Sequence, residues 1–208
     1  MQQALPGASE TAAGKVTSSP DSEKRWLSLI QEVRTRYKGQ LIWAINLPGN
    51  ITWLPDFLDK VDQIYVLVSA PAGENNGGAG YLLQIQSLFD TSIKPLKTKL
   101  NKPLLIGINY ASVAGAEKGC VDTGEGCVAF SQLSPPYLVD VPGAVDLQTQ
   151  VAIYHAFLTA INDRPWVDGF ITRGFYPAVP LQDKSSSVHG KPAGDVVWFW
   201  FSQMLSAK

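Results

Sequence analysis

Along the chain, short blocks of consecutive apolar residues alternate with longer segments whose apolar residues recur every three or four positions. The blocks are residues 41–46, 64–69, 104–109 and 169–173. Each reads as a strand buried in a parallel sheet, because βα units cover such a sheet with helices and leave little need for polar residues. The block 104–109 follows Lys102-Pro103 and runs into Tyr110-Ala111-Ser112, so its carboxyl end opens into a loop. The intervening segments predict helices. Ser19-Pro20-Asp21 offers an N-cap, a first-turn proline and early negative charge, and Trp26, Leu29, Ile30, Val33 and Tyr37 then form one stripe that Gly39 ends. A short helix is expected over 53–60, and a longer one over 81–100, which Pro95 kinks or splits. Asp146 caps a helix carrying Leu147, Val151, Tyr154, Leu158 and Ile161, and a last helix spans 193–205.

The order is therefore βα repeated four times, an α/β fold with a parallel sheet, and four such units are half of a (β/α)8 TIM barrel. A half-barrel leaves sheet edges unpaired, so another chain or the missing half is expected to complete it. Residues 1–18, rich in Ala, Gly, Ser and Thr, read as a flexible lead-in, and 19–208 as the folded domain. Two strand ends open into long connections. Residues 71–80 are glycine-rich and long enough for a rim or lid, and 110–143 is the longest irregular stretch, holding both cysteines and Pro135-Pro136.

The net charge of −1 gives no electrostatic footprint for nucleic acid or an anionic membrane. No apolar run is long enough for membrane insertion, and no secretory leader is visible after Met1, so the signal of an exported protein would lie upstream. A neutral partner fits better, and aromatic side chains at loop mouths suit a carbohydrate, although most of the 6 Trp are expected in packing roles. Cys120 and Cys127 flank a glycine-rich loop that can bend back into a disulfide, which implies an oxidising compartment; two free thiols are the alternative. His155 and His189 are too few to complete a zinc site with them, and the glycines of 73–80 lack the Lys and Ser/Thr of a phosphate loop, so no cofactor is expected.

Four segments together resemble the later half of glycoside hydrolase barrels of family 113: Arg25-Trp26-Leu27-Ser28-Leu29-Ile30-Gln31-Glu32-Val33-Arg34, Lys102-Pro103-Leu104-Leu105, Ser112-Val113-Ala114-Gly115-Ala116 and Ser187-Val188-His189-Gly190-Lys191-Pro192-Ala193. The resemblance covers roughly residues 20 to 205 and implies that the four strands are the fifth to eighth of a retaining glycosidase barrel, in an extracellular or cell-surface protein. In that clan a Glu ending the fourth strand is the acid/base and a Glu ending the seventh is the nucleophile, about 5 Å apart. The family's seventh strand ends in a Thr-Glu-Ile-Gly-Tyr type of segment, whereas this chain reads Ile106-Gly107-Ile108-Asn109-Tyr110, with no carboxylate. Its sixth strand reads Val66-Leu67-Val68-Ser69 where the family carries an Asp and an aromatic.

The resemblance leaves Glu10 as the acid/base candidate, against the alternative of a solvated acid in a tail; Glu117, Asp122 and Glu125 are candidates for a relocated carboxylate. For substrate binding the candidates are Trp43 and Asn46 at the first strand's end, Asn109, the rim residues Tyr110 and Tyr176, and Arg173, which either holds a ligand or pairs with a neighbouring acid. Asn109 can hydrogen-bond a sugar hydroxyl but cannot act as a covalent nucleophile. His189 reads as a cap near the last helix and His155 as an ordinary helical histidine. The expected activity is accordingly a glycoside hydrolase-like domain that acts on or binds a polysaccharide, with a structural or assembly subunit as the alternative.

Overall fold

The computed structural model describes residues 8–10, 16–18, 20–49, 54–74, 79–133, 143–176 and 182–206. Two short antiparallel strands, β1 (Ala8–Glu10) and β2 (Val16–Ser18), pair within the stretch read as a lead-in. Helix α1 (Pro20–Arg36) follows from the predicted proline. The sheet is built from β3 (Ile42–Leu47), β4 (Gln63–Val68), β5 (Leu104–Ile108) and β8 (Gly169–Thr172), in that spatial order and parallel throughout. The two-residue strands β6 (Val121–Asp122) and β7 (Cys127–Val128) form a separate hairpin between β5 and β8. The helices are α2 (Ala79–Leu88), α3 (Lys94–Leu100), α4 (Leu147–Asn162) and α5 (Pro192–Ser206). Trp53, Pro135-Pro136 and the centre of the glycine-rich loop lie outside the described residues.

Pro95 does not interrupt the predicted long helix: α2 runs through a π turn, Phe89–Ile93, directly into α3 with helical dihedrals at Ile93 and Lys94. The wider π turn stands immediately before the proline, whose ring and missing N–H do not fit a regular α-helical ladder. Asp146 caps α4 as expected, accepting from the Thr149 N–H at 2.9 Å and from its hydroxyl at 2.7 Å.

The two faces of the sheet have different fates. Ile45 and Leu47, Ile64, Val66 and Val68, and Leu104, Ile106 and Ile108 alternate onto the outer face and are buried. Helices cover that face: the Trp43 ring meets Trp26 of α1 at 4.9 Å, the Tyr154 hydroxyl of α4 donates to the Ile108 carbonyl at 3.0 Å, and Phe170 stacks near Phe201 of α5 at 4.7 Å. The inner face carries Ile42, Ala44 and Asn46, Tyr65 and Leu67, Leu105 and Gly107, and Ile171, set side by side by the register. Ile42 is 49% exposed and Ile171 43%, so the face that a complete barrel would close stands open to solvent.

At the amino ends of the strands one device occurs twice. Asp62, just before β4, accepts the Leu41 N–H at 2.6 Å and pairs with Arg34 of α1. Asp168, just before β8, accepts the Leu104 N–H at 2.7 Å and pairs with Lys97 of α3 at 2.9 Å. Each carboxylate ties a helix end to the start of the neighbouring strand, fixing the register that decides which residues reach the opposite end. The hydrogen bonds from Arg34 and from the Leu41 N–H hold the Asp62 carboxyl below its ordinary range.

Candidate active site

The carboxyl ends of the strands carry a cleft that several of the sequence-derived candidates share. The ladder continues one residue past each strand: the Ser69 N–H donates to Leu47 O at 2.7 Å, Asn109 to Val68 O at 3.0 Å and Arg173 to Ile108 O at 3.3 Å. Because side chains alternate, Asn46, Pro48, Leu67, Ser69, Asn109 and Arg173 all fall on the inner-face positions of their strands and of the residues just past them. All six line a cleft of about 550 Å³. This is the end of a βα sheet at which ligand sites form, since the loops there diverge and leave a hollow.

The disulfide between Cys120 and Cys127 closes the β6–β7 hairpin, and both cysteines, with Ala129, Phe130 and Ser131, form the opposite wall of the cleft. The hairpin's approach depends on Gly119. Its φ of 84° lies in the left-handed region, and a Cβ there would collide with the Ser69 carbonyl, so only glycine lets the loop sit on the end of β4. The Ala72 N–H donates to Glu117 O at 2.7 Å and pins the same junction.

Three of the predicted binding residues meet here: Asn46, Asn109 and Arg173. Asn109 is 4% exposed, and its side-chain oxygen is buried without a hydrogen-bond donor among the described residues. Arg173 is half-buried and forms no ion pair within the described residues, so the alternative of a structural pair with a neighbouring acid is not what the structure contains.

Two predicted binding residues are corrected. Trp43 points to the outer face, wedged between Trp26 and Phe57 at 4.9 and 4.8 Å, and is a packing residue. Tyr110 is fully buried rather than a rim platform: its hydroxyl donates to the Ala70 carbonyl, its ring lies 5.4 Å from Phe157 and 5.9 Å from Phe130, and burial pushes its phenol well above the ordinary range. Tyr176 is half-buried, packs over Gly174 and does not line the cleft; its carbonyl lies 2.7 Å from His189 Nδ1. His189 also stacks on Phe175 at 4.1 Å, and His155 of α4 meets the edge of Trp200 on α5; neither histidine lines the cleft.

No Asp or Glu lines the cleft among the described residues. Asp122 is held by the Gly124 N–H and by Lys118 at 3.0 Å, which lower its carboxyl below the ordinary value, and Glu117 and Glu125 lie outside the cleft lining. Glu10 ends β1, its backbone opposite Val16. No group of three or more His, Cys, Asp or Glu side chains is placed to hold a metal among the described residues.

Tyr65 is the residue that sequence reasoning passed over. It stands beside Leu105 on the inner face, and its ring reaches along the sheet to Gly107; a Cβ built on Gly107 would fall against the Tyr65 hydroxyl and only 2.5 Å from its Cζ. Set residue against residue, Thr-Glu-Ile-Gly-Tyr puts its glutamate on Gly107. The phenol therefore occupies the space into which a side chain at that position would project. Burial raises the Tyr65 phenol, and the positive charge of Arg173 opposes the rise.

The model of Glycoside Hydrolase Family 113 matches residues 12–187. The chain belongs to that family. No curated protein matches it. Among solved structures, a family 113 β-mannanase from Alicyclobacillus acidocaldarius superposes with a TM-score of 0.64 at 24% identity, covering 88% of this chain and 52% of that one. A family 113 β-1,4-mannanase superposes at 0.56 with 20% identity over 89% and 52%, and a β-glucuronidase from Ruminococcus gnavus at 0.54 with 12% identity over 88% and 30%. At these identities the likeness is one of fold. The chain spans about half the length of the family 113 enzymes it matches, which agrees with four βα units of an eight-unit barrel.

Proposed function

We propose that the chain supplies the fifth to eighth strands of a family 113-type barrel and binds a glycan along the cleft at their carboxyl ends without hydrolysing it. The observation that supports this most directly is the Tyr65 phenol filling the space over Gly107, at the position where the resemblance requires the nucleophilic glutamate. Retaining hydrolysis needs two carboxylates about 5 Å apart across the scissile bond. Glu10 is the acid/base candidate by position, and the described cleft offers no second carboxylate to work with it. Asn46, Asn109 and Arg173 remain as hydrogen-bonding groups able to orient a sugar, and the disulfide fits an extracellular or cell-surface setting.

The test is to incubate the protein with a panel of plant and microbial polysaccharides, measuring reducing-sugar release and binding in parallel. The reading expects saturable binding, weakened about tenfold by Asn109→Ala, with no release above the blank. Release that collapses in Glu10→Gln would restore the hydrolase reading.

A second reading is favoured by one observation, the exposure of Ile42 and Ile171 on the inner face. In it the chain acts as an assembly subunit whose open sheet face is covered by a further four βα units, the portion by which the matched mannanases exceed it. A stable monomer by light scattering, with no self-association as concentration rises, counts against that reading.

A further inference from the structure

The cleft is electrostatically one-sided. Its ionisable lining residues are Lys118 and Arg173, with no acid among the described residues to offset them. Lys118 is already committed to Asp122 at 3.0 Å. Arg173 is not: it leaves the end of β8 half-buried, beside Asn109 across the β5–β8 ladder, with no carboxylate within ion-pairing distance among the described residues. Next to it Asn109 presents a buried side-chain oxygen with no donor. A partly desolvated cation and a buried acceptor, both unmatched and side by side, each carry a cost that a ligand of the right chemistry would remove.

The two needs differ, and together they define the ligand. A guanidinium is a planar fork of donors that matches a carboxylate through two parallel hydrogen bonds. The Asn109 oxygen requires a donor, such as a hydroxyl. A neutral hexose satisfies the second and leaves the first uncompensated, whereas a uronic acid residue carries both groups on one ring. We infer that the cleft takes an acidic glycan, in which a uronate carboxylate pairs with Arg173 while a hydroxyl of the same residue donates to Asn109. The inference rests on the glycan-binding reading and goes beyond it by naming the class of sugar.

The experiment measures calorimetric binding of the full chain to oligomannuronate, to neutral manno-oligosaccharide of the same length, and to dextran sulfate as a sulfated control. The expected result is oligomannuronate bound roughly tenfold or more tightly than the neutral oligomer at low ionic strength, the preference shrinking with added salt. Arg173→Gln abolishes the preference, and Arg173→Lys, which keeps the charge but loses the fork, retains only part of it. Circular dichroism checks that both variants fold; if Arg173→Gln does not, the Arg173→Lys comparison and the salt series still decide. Equal affinity for the neutral and acidic oligomers overturns the inference but leaves the glycan-binding reading standing. Dextran sulfate bound as tightly as oligomannuronate overturns the carboxylate assignment. Binding of none of the three overturns both.

Discussion

Lys191 Nζ lies 2.9 Å from Ser112 Oγ, joining residues 79 positions apart in the chain. They belong to two of the four sequence segments that carried the family resemblance, and the structure brings those two segments into contact. The ammonium also donates to Ser185 O at 2.8 Å and pairs with Asp183 at 3.0 Å, while the Ser112 hydroxyl donates to Asp183 O at 2.7 Å. The cage fastens the connection that precedes α5 onto the chain leaving β5, so it braces the wall behind the cleft.

Lys191 is nearly inaccessible, its side chain 3% exposed and that of Asp183 10%. Removing the cation leaves a buried carboxylate held by the Ser185 N–H and hydroxyl alone. Lys191→Met is therefore expected to cost about 3–5 kcal/mol, the usual penalty for breaking one side of a buried pair. Lys191→Met/Asp183→Asn should recover part of that loss, since the unpaired charge is gone. Urea unfolding of the single and double variants checks this, and a double variant as unstable as the sum of its parts would mean that the two side chains do not interact.

The same cage sets an acid limit. Burial raises the Asp183 carboxyl, but the Ser185 N–H, Lys191 and the Ser185 hydroxyl outweigh it and hold the group below its ordinary 3.8. A carboxyl with a depressed folded-state pKa contributes stability that is complete above its unfolded value and is lost as pH falls through the folded one. The contribution should be constant above about pH 5 and decline below 3.8. Thermal melts of wild type and Asp183→Asn from pH 7 to pH 3 should converge at the acid end; curves that stay parallel would remove Asp183 from the account.

The disulfide hairpin is expected to matter for the cleft more than for the fold. Closing a loop of this length constrains the unfolded chain by about 2.5 kcal/mol in the loop-entropy model, yet β6 and β7 pair only with each other and the core sheet does not include them. Cys120→Ser/Cys127→Ser should therefore leave the main unfolding transition with at most that loss and weaken glycan binding severalfold, because both residues line the cleft. Hydrogen exchange confined to 119–128 would accompany it. Unchanged affinity would show that this wall does not touch the ligand.

Most of the architecture was legible in the sequence. The four apolar blocks are the four sheet strands, Pro20 opens α1 and Asp146 caps α4 as their chemistry dictates, whereas the expected kink or split at Pro95 is replaced by a π turn within a continuous helical run. The face each strand end presents was harder to read. Trp43 and Asn46 differ by an odd number of positions, as do Asn109 and Tyr110, so within each pair only one can look into the cleft. The polar member does so in both pairs, and the aromatic member packs under the helices. The ambiguity arises because the inner face of a half-barrel is nearly as apolar as its outer face: Ile42, Leu67, Leu105 and Ile171 look like core until the register is known. Tyr65 left a subtler trace in Gly107, a glycine inside an otherwise bulky strand, which signals that something approaches the backbone closely.

That pairing supports a prediction whose sign depends on context. Glycine in a strand interior is unfavourable by roughly 0.5–1 kcal/mol relative to alanine, so Gly107→Ala would ordinarily stabilise the protein. Here the new methyl meets the Tyr65 ring, which must swing off the inner face and lose its contact with the sheet. In the wild-type background the substitution should therefore give no gain or a loss, whereas in a Tyr65→Ala background it should stabilise by up to about 1 kcal/mol. The coupling between the two positions, read from a double-mutant cycle in urea, is expected at about 1 kcal/mol or more. A second readout follows from the displaced phenol: because burial raises it, Gly107→Ala should lower its titration toward 10, visible as tyrosinate absorbance. Additive stabilities together with an unmoved tyrosine titration would mean that Tyr65 does not occupy the space above Gly107, and the position would then be open to a catalytic side chain.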